Sequence, residues 1–166
     1  MRLCPSMKRA LVVPKKGGCV VYLATSSLEG KPNMVPMRYV ATFGDDKIVL
    51  ADMFLLKTKV NLKENPHCTV AIAYPIKADK GRFWAFRGMG VIMEYDMDPS
   101  FSWYGVKAGD ILKEWGRWEE KEPPSEVPPD IAYGASVQRG VLVIHVLDAY
   151  SLKLGEVGKE VFRDEP

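Results

Sequence analysis

Beyond Cys19 the chain is a succession of short apolar runs separated by turn signals. Val20-Val21-Tyr22-Leu23-Ala24-Thr25 is β-rich, and Glu29-Gly30-Lys31-Pro32-Asn33 supplies turn residues. Met34 to Phe43 carries Val35, Tyr39 and Val40 until Gly44-Asp45-Asp46 breaks it, and Lys47 to Asp52 follows as a further run. Strands are predicted at about Cys19–Thr25, Met34–Phe43 and Lys47–Asp52. A helix over roughly Leu56–Glu64 comes next and stops at Asn65-Pro66, because the residue before a proline is pushed out of the α region. His67 to Tyr74 reads as a strand with Val70, Ile72 and Tyr74 on one face and Ala71 and Ala73 on the other. Small residues on one face suit a crowded barrel interior or close contact with a helix. Phe83 to Tyr95 is a long strand with Gly88 and Gly90 in its middle, where glycine marks a bulge or a tight bend. Gly140 to Tyr150 closes the series.

The remaining segments are not strand-like. The start, through Lys16, reads as a short helix ended by Pro14 and Gly17-Gly18. Pro99 to Glu122 reads as helical, with Asp98 as N-cap and Pro99 in first position, although Gly105, Gly109 and Gly116 leave room for two shorter helices. Pro123-Pro124 and Pro128-Pro129 read as a stiff linker. Six predicted strands, few helices and hairpin-like turns near the start favour a mainly β antiparallel barrel over a parallel α/β sheet. The expectation is a single domain over residues 1–166, with a helical and proline-rich insertion at about 99–138.

Composition narrows the function classes. A chain of 166 residues, 47% of them apolar, can bury a sizeable core. A net charge of +2 gives no independent reason to expect nucleic acid or an anionic membrane as partner. The three cysteines, Cys4, Cys19 and Cys68, are widely spaced and form no CxxC, which supports neither a disulfide framework nor a zinc ribbon. The apolar stretch after Lys8-Arg9 is too short for a signal peptide, and no window is long and apolar enough to cross a bilayer. A soluble protein of the reducing cytoplasm is expected.

Candidate chemistry is sparse. Lys57-Thr58 puts an ammonium and a hydroxyl at the start of a helix directly after a strand, where free N–H groups and the positive end of the helix dipole suit a phosphate. A solvated helix face is the alternative, since Lys59 and Lys63 are near. Arg38 lies in a strand of mainly apolar and aromatic residues and needs a partner, either a phosphate or an ordinary counter-ion. Trp84, Phe86, Trp103, Trp115 and Trp118 are either stacking surfaces for a planar ligand or core and interface residues. His67 and His145 have no neighbours at metal-ligand spacing, and His145 in its apolar strand reads as a satisfied core histidine. There is no GxSxG, HExxH or P-loop, and Gly88-Met89-Gly90 lacks the third glycine of a dinucleotide fingerprint. No side chain stands out as a general base, so any redox chemistry must belong to a cofactor.

Taken in order, these pieces resemble the FMN-binding split-barrel family related to pyridoxine 5′-phosphate oxidase, most closely the small FMN-binding proteins of anaerobes and archaea. The resemblance rests on Tyr22-Leu23-Ala24-Thr25, Glu29-Gly30-Lys31-Pro32, Pro36-Met37-Arg38-Tyr39-Val40, Ile48-Val49-Leu50-Ala51-Asp52, and Lys57-Thr58 leading to Asn61-Leu62-Lys63-Glu64-Asn65-Pro66. Phe86-Arg87-Gly88-Met89-Gly90 and Val141 to Tyr150 resemble the later strands.

The resemblance implies a six-stranded antiparallel Greek-key split β-barrel with a few flanking helices. It also implies a homodimer with FMN at its interface. The flavin ring would rest on Pro36, Met37, Arg38, Tyr39 and Val40, and the phosphate on Ala51, Asp52, Lys57 and Thr58, with Arg38 pointing towards it. Trp84 of the partner subunit would complete the site. A flavin-dependent oxidoreductase or electron carrier follows, with a small-molecule donor and acceptor. A flavin storage module, an oxidase of pyridoxine phosphate and a nucleic-acid-binding barrel are the alternatives. The oxidase reading is weakened by Ala41, Thr42 and Phe43, which supply no basic residue after Arg38. The C-terminal Arg163-Asp164-Glu165-Pro166 shares only its arginine and proline with the oxidase's substrate motif.

Overall fold

The computed structural model describes residues 1–12, 20–37, 39–52, 55–73, 84–121, 140–152 and 161–163. Arg38, Cys19, the glycines at 17–18 and the paired prolines at 123–124 and 128–129 lie outside the described residues. Helix α1 (Pro5–Val12) precedes β1 (Val20–Ser26), β2 (Pro32–Met37), β3 (Val40–Phe43) and β4 (Lys47–Asp52). Helix α2 (Leu56–Glu64) leads to β5 (His67–Ala73) and β6 (Trp84–Glu94). The short strands β7 (Ser102–Trp103) and β8 (Val106–Lys107), helix α3 (Ala108–Lys121), β9 (Gly140–Ser151) and β10 (Val161–Arg163) complete the order.

The main sheet is antiparallel throughout, in the order β2-β1-β5-β6-β9-β4-β3, with β10 added beside β9. Its two edges, β2 and β3, are separated in sequence only by residues 38 and 39. From Met37 to Val40 the chain reaches at most about 11 Å, so the first and last strands of the sheet must approach each other there. The sheet is therefore rolled into a split barrel, and β2 and β3 are the halves of the single strand predicted at Met34–Phe43. On that count, and leaving aside the short β10, the barrel has the six strands expected, and the connections β4 to β5 and β6 to β9 make it a Greek key.

Two apolar layers hold it. Val21, Leu23, Ile48, Leu50, Val70, Ile72, Phe86, Leu142 and Ile144 fill the interior, with Met7 and Leu11 of α1 and Leu55 and Leu62 around α2 joining them. Val49, Ala51, Met93, Val141 and Val143 face outward and are covered by Val106, Ile111 and Trp115. β4 is consequently buried on both faces along its whole length, which is why it reads as a continuous apolar run without alternation. Val70 and Ile72 share a face as predicted, but they line the interior. Ala71 is on the outer side, so the small face of this strand is not the crowded one.

The segment from Pro99 departs from its predicted helix. Asp98 accepts bonds from the backbone N–H and hydroxyl of Ser100, both at 2.8 Å, and closes a turn instead of capping a helix. Tyr104 and Gly105 have φ of 46° and 77° and form the two-residue loop between β7 and β8, the positive-φ pair that a type I′ hairpin requires. Helix starts only at α3, where Ala108 and Gly109 donate to the carbonyls of Phe101 and Pro99 at 2.9 and 3.0 Å. Trp115 and Ile111 then seal the outer face of β4 and β9. The described part of the insertion, through Lys121, thus covers the outer side of the barrel, one of the roles open to it from sequence.

Candidate functional site

The junction between β4 and α2 concentrates the polar chemistry. Asp52 ends β4, with its side chain 1% exposed. Its Oδ1 accepts the N–H of Leu55 at 3.2 Å, and its Oδ2 lies 2.9 Å from the Lys59 ammonium. Lys59 also binds Glu94 Oε1 at 2.6 Å, joining the end of β6 to the same cluster. Burial pulls the Lys59 pKa down, but the bonds to Glu94 and Asp52 and their charges outweigh it, and the net shift is upward. Leu55, at the N-cap of α2, makes no side-chain capping bond, and the first turn contains no acidic residue. N–H groups at the head of a helix have no intrahelical acceptor, so this end of α2 is suited to an anion.

The inner side of α2 buries Thr58 and Asn61 beside Leu62 of the apolar interior. Thr58 is 1% exposed, and its Oγ1 accepts from Asn33 Nδ2 at 3.0 Å. Asn61, fully buried, donates from Nδ2 to Thr25 Oγ1 at 3.1 Å, and Asn33 Nδ2 reaches the same oxygen at 3.4 Å. Asn65 secures the far end of the helix on Ser26 Oγ at 3.2 Å. Asn61 Oδ1 is buried with no hydrogen-bond partner among the described residues, so this acceptor retains the capacity to take a further donor.

The residues expected to bind a cofactor are distributed as follows. Pro36 is exposed and Met37 half-buried at the end of β2. Tyr39 is half-buried against the outer apolar layer and Val40 against the interior one. Ala51 is buried, and its N–H donates to the Tyr39 carbonyl at 3.2 Å, so these two residues are neighbours across the β3–β4 pair. Lys57 is exposed on α2, beside buried Thr58. Arg38 lies outside the described residues. Trp84, half-buried, begins β6, whereas Glu94 ends it. At roughly 3.3 Å per residue, about 30 Å separates Trp84 from the Asp52–Lys59 cluster within one chain. Lys59, Glu94, Asn33 and Asn61 are the site residues that sequence reading missed. Their partners are 35, 25 and 36 positions away in the chain, and no local pattern marks such pairs.

Trp103, Trp115 and His145 have structural partners, whereas the Trp118 side chain lies outside the described residues. Trp115 is buried in the outer layer, and Trp103 packs against it half-buried. His145 stacks on Tyr104 with ring centroids 4.2 Å apart and lies with Nδ1 3.3 Å from Asp46 Oδ2. A shallow concavity of about 550 Å³ opens on the outer face among Thr25, His67, Thr69, Arg87, Leu147 and Asp148. It lies towards the Asn65 end of α2, away from Lys57, and none of the residues expected to hold the cofactor is among those lining it. Its guanidinium is already committed, since Arg87 grips Asp148 through two bonds of 2.7 and 2.9 Å. Among the described residues no group of three or more His, Cys, Asp and Glu side chains is arranged to hold a metal, and no helix is long and apolar enough to cross a membrane.

A bent strand that forms both edges of an antiparallel Greek-key sheet, with a helix launched from the strand that pairs with it, defines the split-barrel class. Residues 16–130 match the family described as pyridoxamine 5′-phosphate oxidase, and the chain belongs to that family. An uncharacterized protein of Methanocaldococcus jannaschii, MJ0282, is 29% identical over 149 residues, which cover 88% of this chain and 82% of that protein. Among solved structures, HupZ of Group A Streptococcus superposes with a TM-score of 0.61 at 17% identity, covering 94% of this chain and 98% of HupZ. An FMN-binding protein of Syntrophomonas wolfei gives 0.56 at 15% identity, covering 88% of this chain and 84% of that one. At these identities the structural likeness is one of fold.

Proposed function

We propose that this chain binds FMN as a cytoplasmic homodimer and serves as a flavin-dependent oxidoreductase or electron carrier. The observation that carries the reading is the head of α2. It is a helix start without a side-chain cap or an acidic first turn, with Lys57 exposed on it, in a chain of the pyridoxamine 5′-phosphate oxidase family. The donor set fits a phosphate monoester, because N–H groups and ammonium ions offer only hydrogens to an anion that offers only acceptors.

In this reading Lys57 and the first-turn N–H groups hold the phosphate, and Arg38 adds a fork from the bent strand. Thr58, whose oxygen is already engaged by Asn33, anchors the helix beside the ligand. Asp52 fixes the helix start and Lys59 without touching the phosphate, since its buried oxygens face Leu55 and Lys59. Ala51 contributes to the floor of the site through its backbone. Pro36, Met37, Tyr39 and Val40 pack on or near the flavin ring. Trp84 is too far from the phosphate group in its own chain and acts in the site of the partner subunit. FMN, when bound, supplies the capacity to accept and release electrons or hydride, and the chain binds, orients and shields it.

The test is an absorption spectrum of the purified protein, followed by titration with FMN and reduction by NADH, NADPH or a deazaflavin. A yellow protein that releases FMN and is reoxidised by an acceptor supports the full reading. Binding without reduction leaves a flavin storage module. A colourless protein that ignores added FMN overturns the proposal.

A further inference from the structure

We propose that Asn33 is a positioning residue for the flavin site, tying the ring-binding strand to the phosphate-binding helix and so favouring a ligand that carries both groups. Resting on the flavin reading above, this role adds the link between the two halves of that same site. In that reading the ligand is shared between separate elements, with Pro36 and Met37 of β2 on or near the ring and Lys57 of α2 at the phosphate. Sheet hydrogen bonding does not join them. Among the described strands β2 pairs with β1 alone, at the edge of the sheet, and it ends at Met37.

Asn33 crosses that gap. It lies opposite Thr25 in the β1–β2 pair, and its amide nitrogen carries two hydrogens. Nδ2 reaches Thr58 Oγ1 of α2 at 3.0 Å and Thr25 Oγ1 of β1 at 3.4 Å, so the shorter bond is the one to the helix. Thr58 is 1% exposed and adjoins Lys57, which puts this bond one residue from the ammonium. Pro36 and Met37 follow on the same strand, about 10–13 Å further along it. A ligand with two binding groups gains over its separate parts only when the two seats are held at the spacing it spans, because its second contact then forms within the complex. Riboflavin uses the ring seat alone and is indifferent to that spacing. Loss of the Asn33 amide leaves both seats in place. Asn61 and Asn65 still tie the second half of α2 to β1, and Lys59 still ties its first turn to Asp52 and Glu94. Thr25 keeps Asn61 Nδ2 as a donor at 3.1 Å. What is lost is the bond between the head of the helix and β2.

Quenching of flavin fluorescence should be titrated with FMN and with riboflavin, which lacks the phosphate, on wild type, Asn33→Ala, Thr58→Val, Thr58→Ser and the Asn33→Ala/Thr58→Val double variant. Asn33→Ala is expected to weaken FMN about three- to tenfold, the range for one hydrogen bond, and to leave riboflavin unchanged. Thr58→Ser keeps the acceptor and should match wild type, whereas Thr58→Val should match Asn33→Ala. Because both substitutions act through one bond, the double variant should bind FMN no more weakly than either single one. If Asn33→Ala does not fold, as judged by circular dichroism, Asn33→Leu, which keeps the volume without the amide, takes its place. If wild type binds FMN and the Asn33 variant binds it equally well, or weakens riboflavin by the same factor, or if the two effects multiply in the double variant, the positioning role is wrong and the flavin reading stands. If wild type does not bind FMN, the flavin reading falls and the role of Asn33 falls with it.

Discussion

Gly88→Ala should be among the most damaging single-methyl additions to this protein. Gly88 lies at the centre of β6, where the register with β9 shifts between Arg87 and Gly88. A Cβ there would lie 2.4 Å from the His145 carbonyl oxygen and 2.7 Å from Ile144 Cγ2, whereas ordinary contact begins at 3.4 Å. The strands would have to part by about 1 Å at the most extensively paired ladder of the sheet, and the nearest obstacle is backbone, which has no rotamer to escape into. Overpacking of this kind costs about 1–3 kcal/mol, and a weakened cross-strand hydrogen bond adds about 1 kcal/mol. The expected loss is therefore about 2–4 kcal/mol. For a chain of this size that lowers Tm by roughly 6–12 °C.

Gly30→Ala is the control. Gly30 has φ of +80°, and nothing lies within 4 Å of the position a Cβ would take, so only the backbone conformation is penalised, by about 1–2 kcal/mol. Differential scanning calorimetry of both variants against wild type measures the contrast. A fall of less than about 2 °C for Gly88→Ala, or a larger fall for Gly30→Ala, would refute the close β6–β9 approach.

Trp115→Ala should cost about 3–5 kcal/mol by opening the outer apolar layer, read by chemical denaturation. Tyr104→Ala should lose the stack on His145 while keeping the unfavourable positive φ, whereas Tyr104→Gly loses the stack and relieves the backbone. The alanine variant should therefore be about 1 kcal/mol less stable than the glycine one, read by the same denaturation. In a Cys19→Ser background, Cys4 is exposed and should react quickly with a chromogenic disulfide at pH 8. Cys68, buried and with its thiol pushed up to about 12 by desolvation, should react only on unfolding. Two fast thiols in that titration would contradict the burial of Cys68.

The parts of this fold that were legible in the sequence are those held by apolar burial over short stretches. β1, β4, β5 and β9 each announce themselves as runs of Val, Ile and Leu, because such runs must be removed from water wherever the chain takes them. The bent strand was legible as one element, but its division into β2 and β3 was not. Tyr39, which lies between them outside either strand, is neither glycine nor proline. The strand divides because its halves pair with opposite edges of the sheet, a fact of closure and not of local sequence. The segment after Asp98 misled for a related reason. Its cap-like aspartate satisfies Ser100 locally, and the Tyr104-Gly105 turn is stabilised by rings and sulfur contributed from β9 and β6.

Helix α2 shows why the site was harder to read than the fold. Its existence and its start were legible, but its orientation departs in part from the usual rule, with only Leu62 of its apolar residues in the interior. Leu56 and Val60 are 66% and 48% exposed, whereas Thr58 and Asn61 are buried. An apolar-inward reading would turn the helix the wrong way and bury Lys57 and Lys63 with it. This orientation is sustained by Asn33, Thr25 and Asn61, which give the polar part of the underside its hydrogen bonds. The ion pairs of Lys59 tie the same helix to the ends of β4 and β6. A helix seated on hydrogen bonds has its orientation set by direction as well as by burial, since each amide and hydroxyl must meet its partner at a defined angle. Loss of that alignment exposes unsatisfied polar groups, at a cost that a wholly apolar seat would not impose. The pairing that fixes this alignment spans β1, β2, β4 and β6, so it becomes visible only once the barrel has brought those strands around the helix.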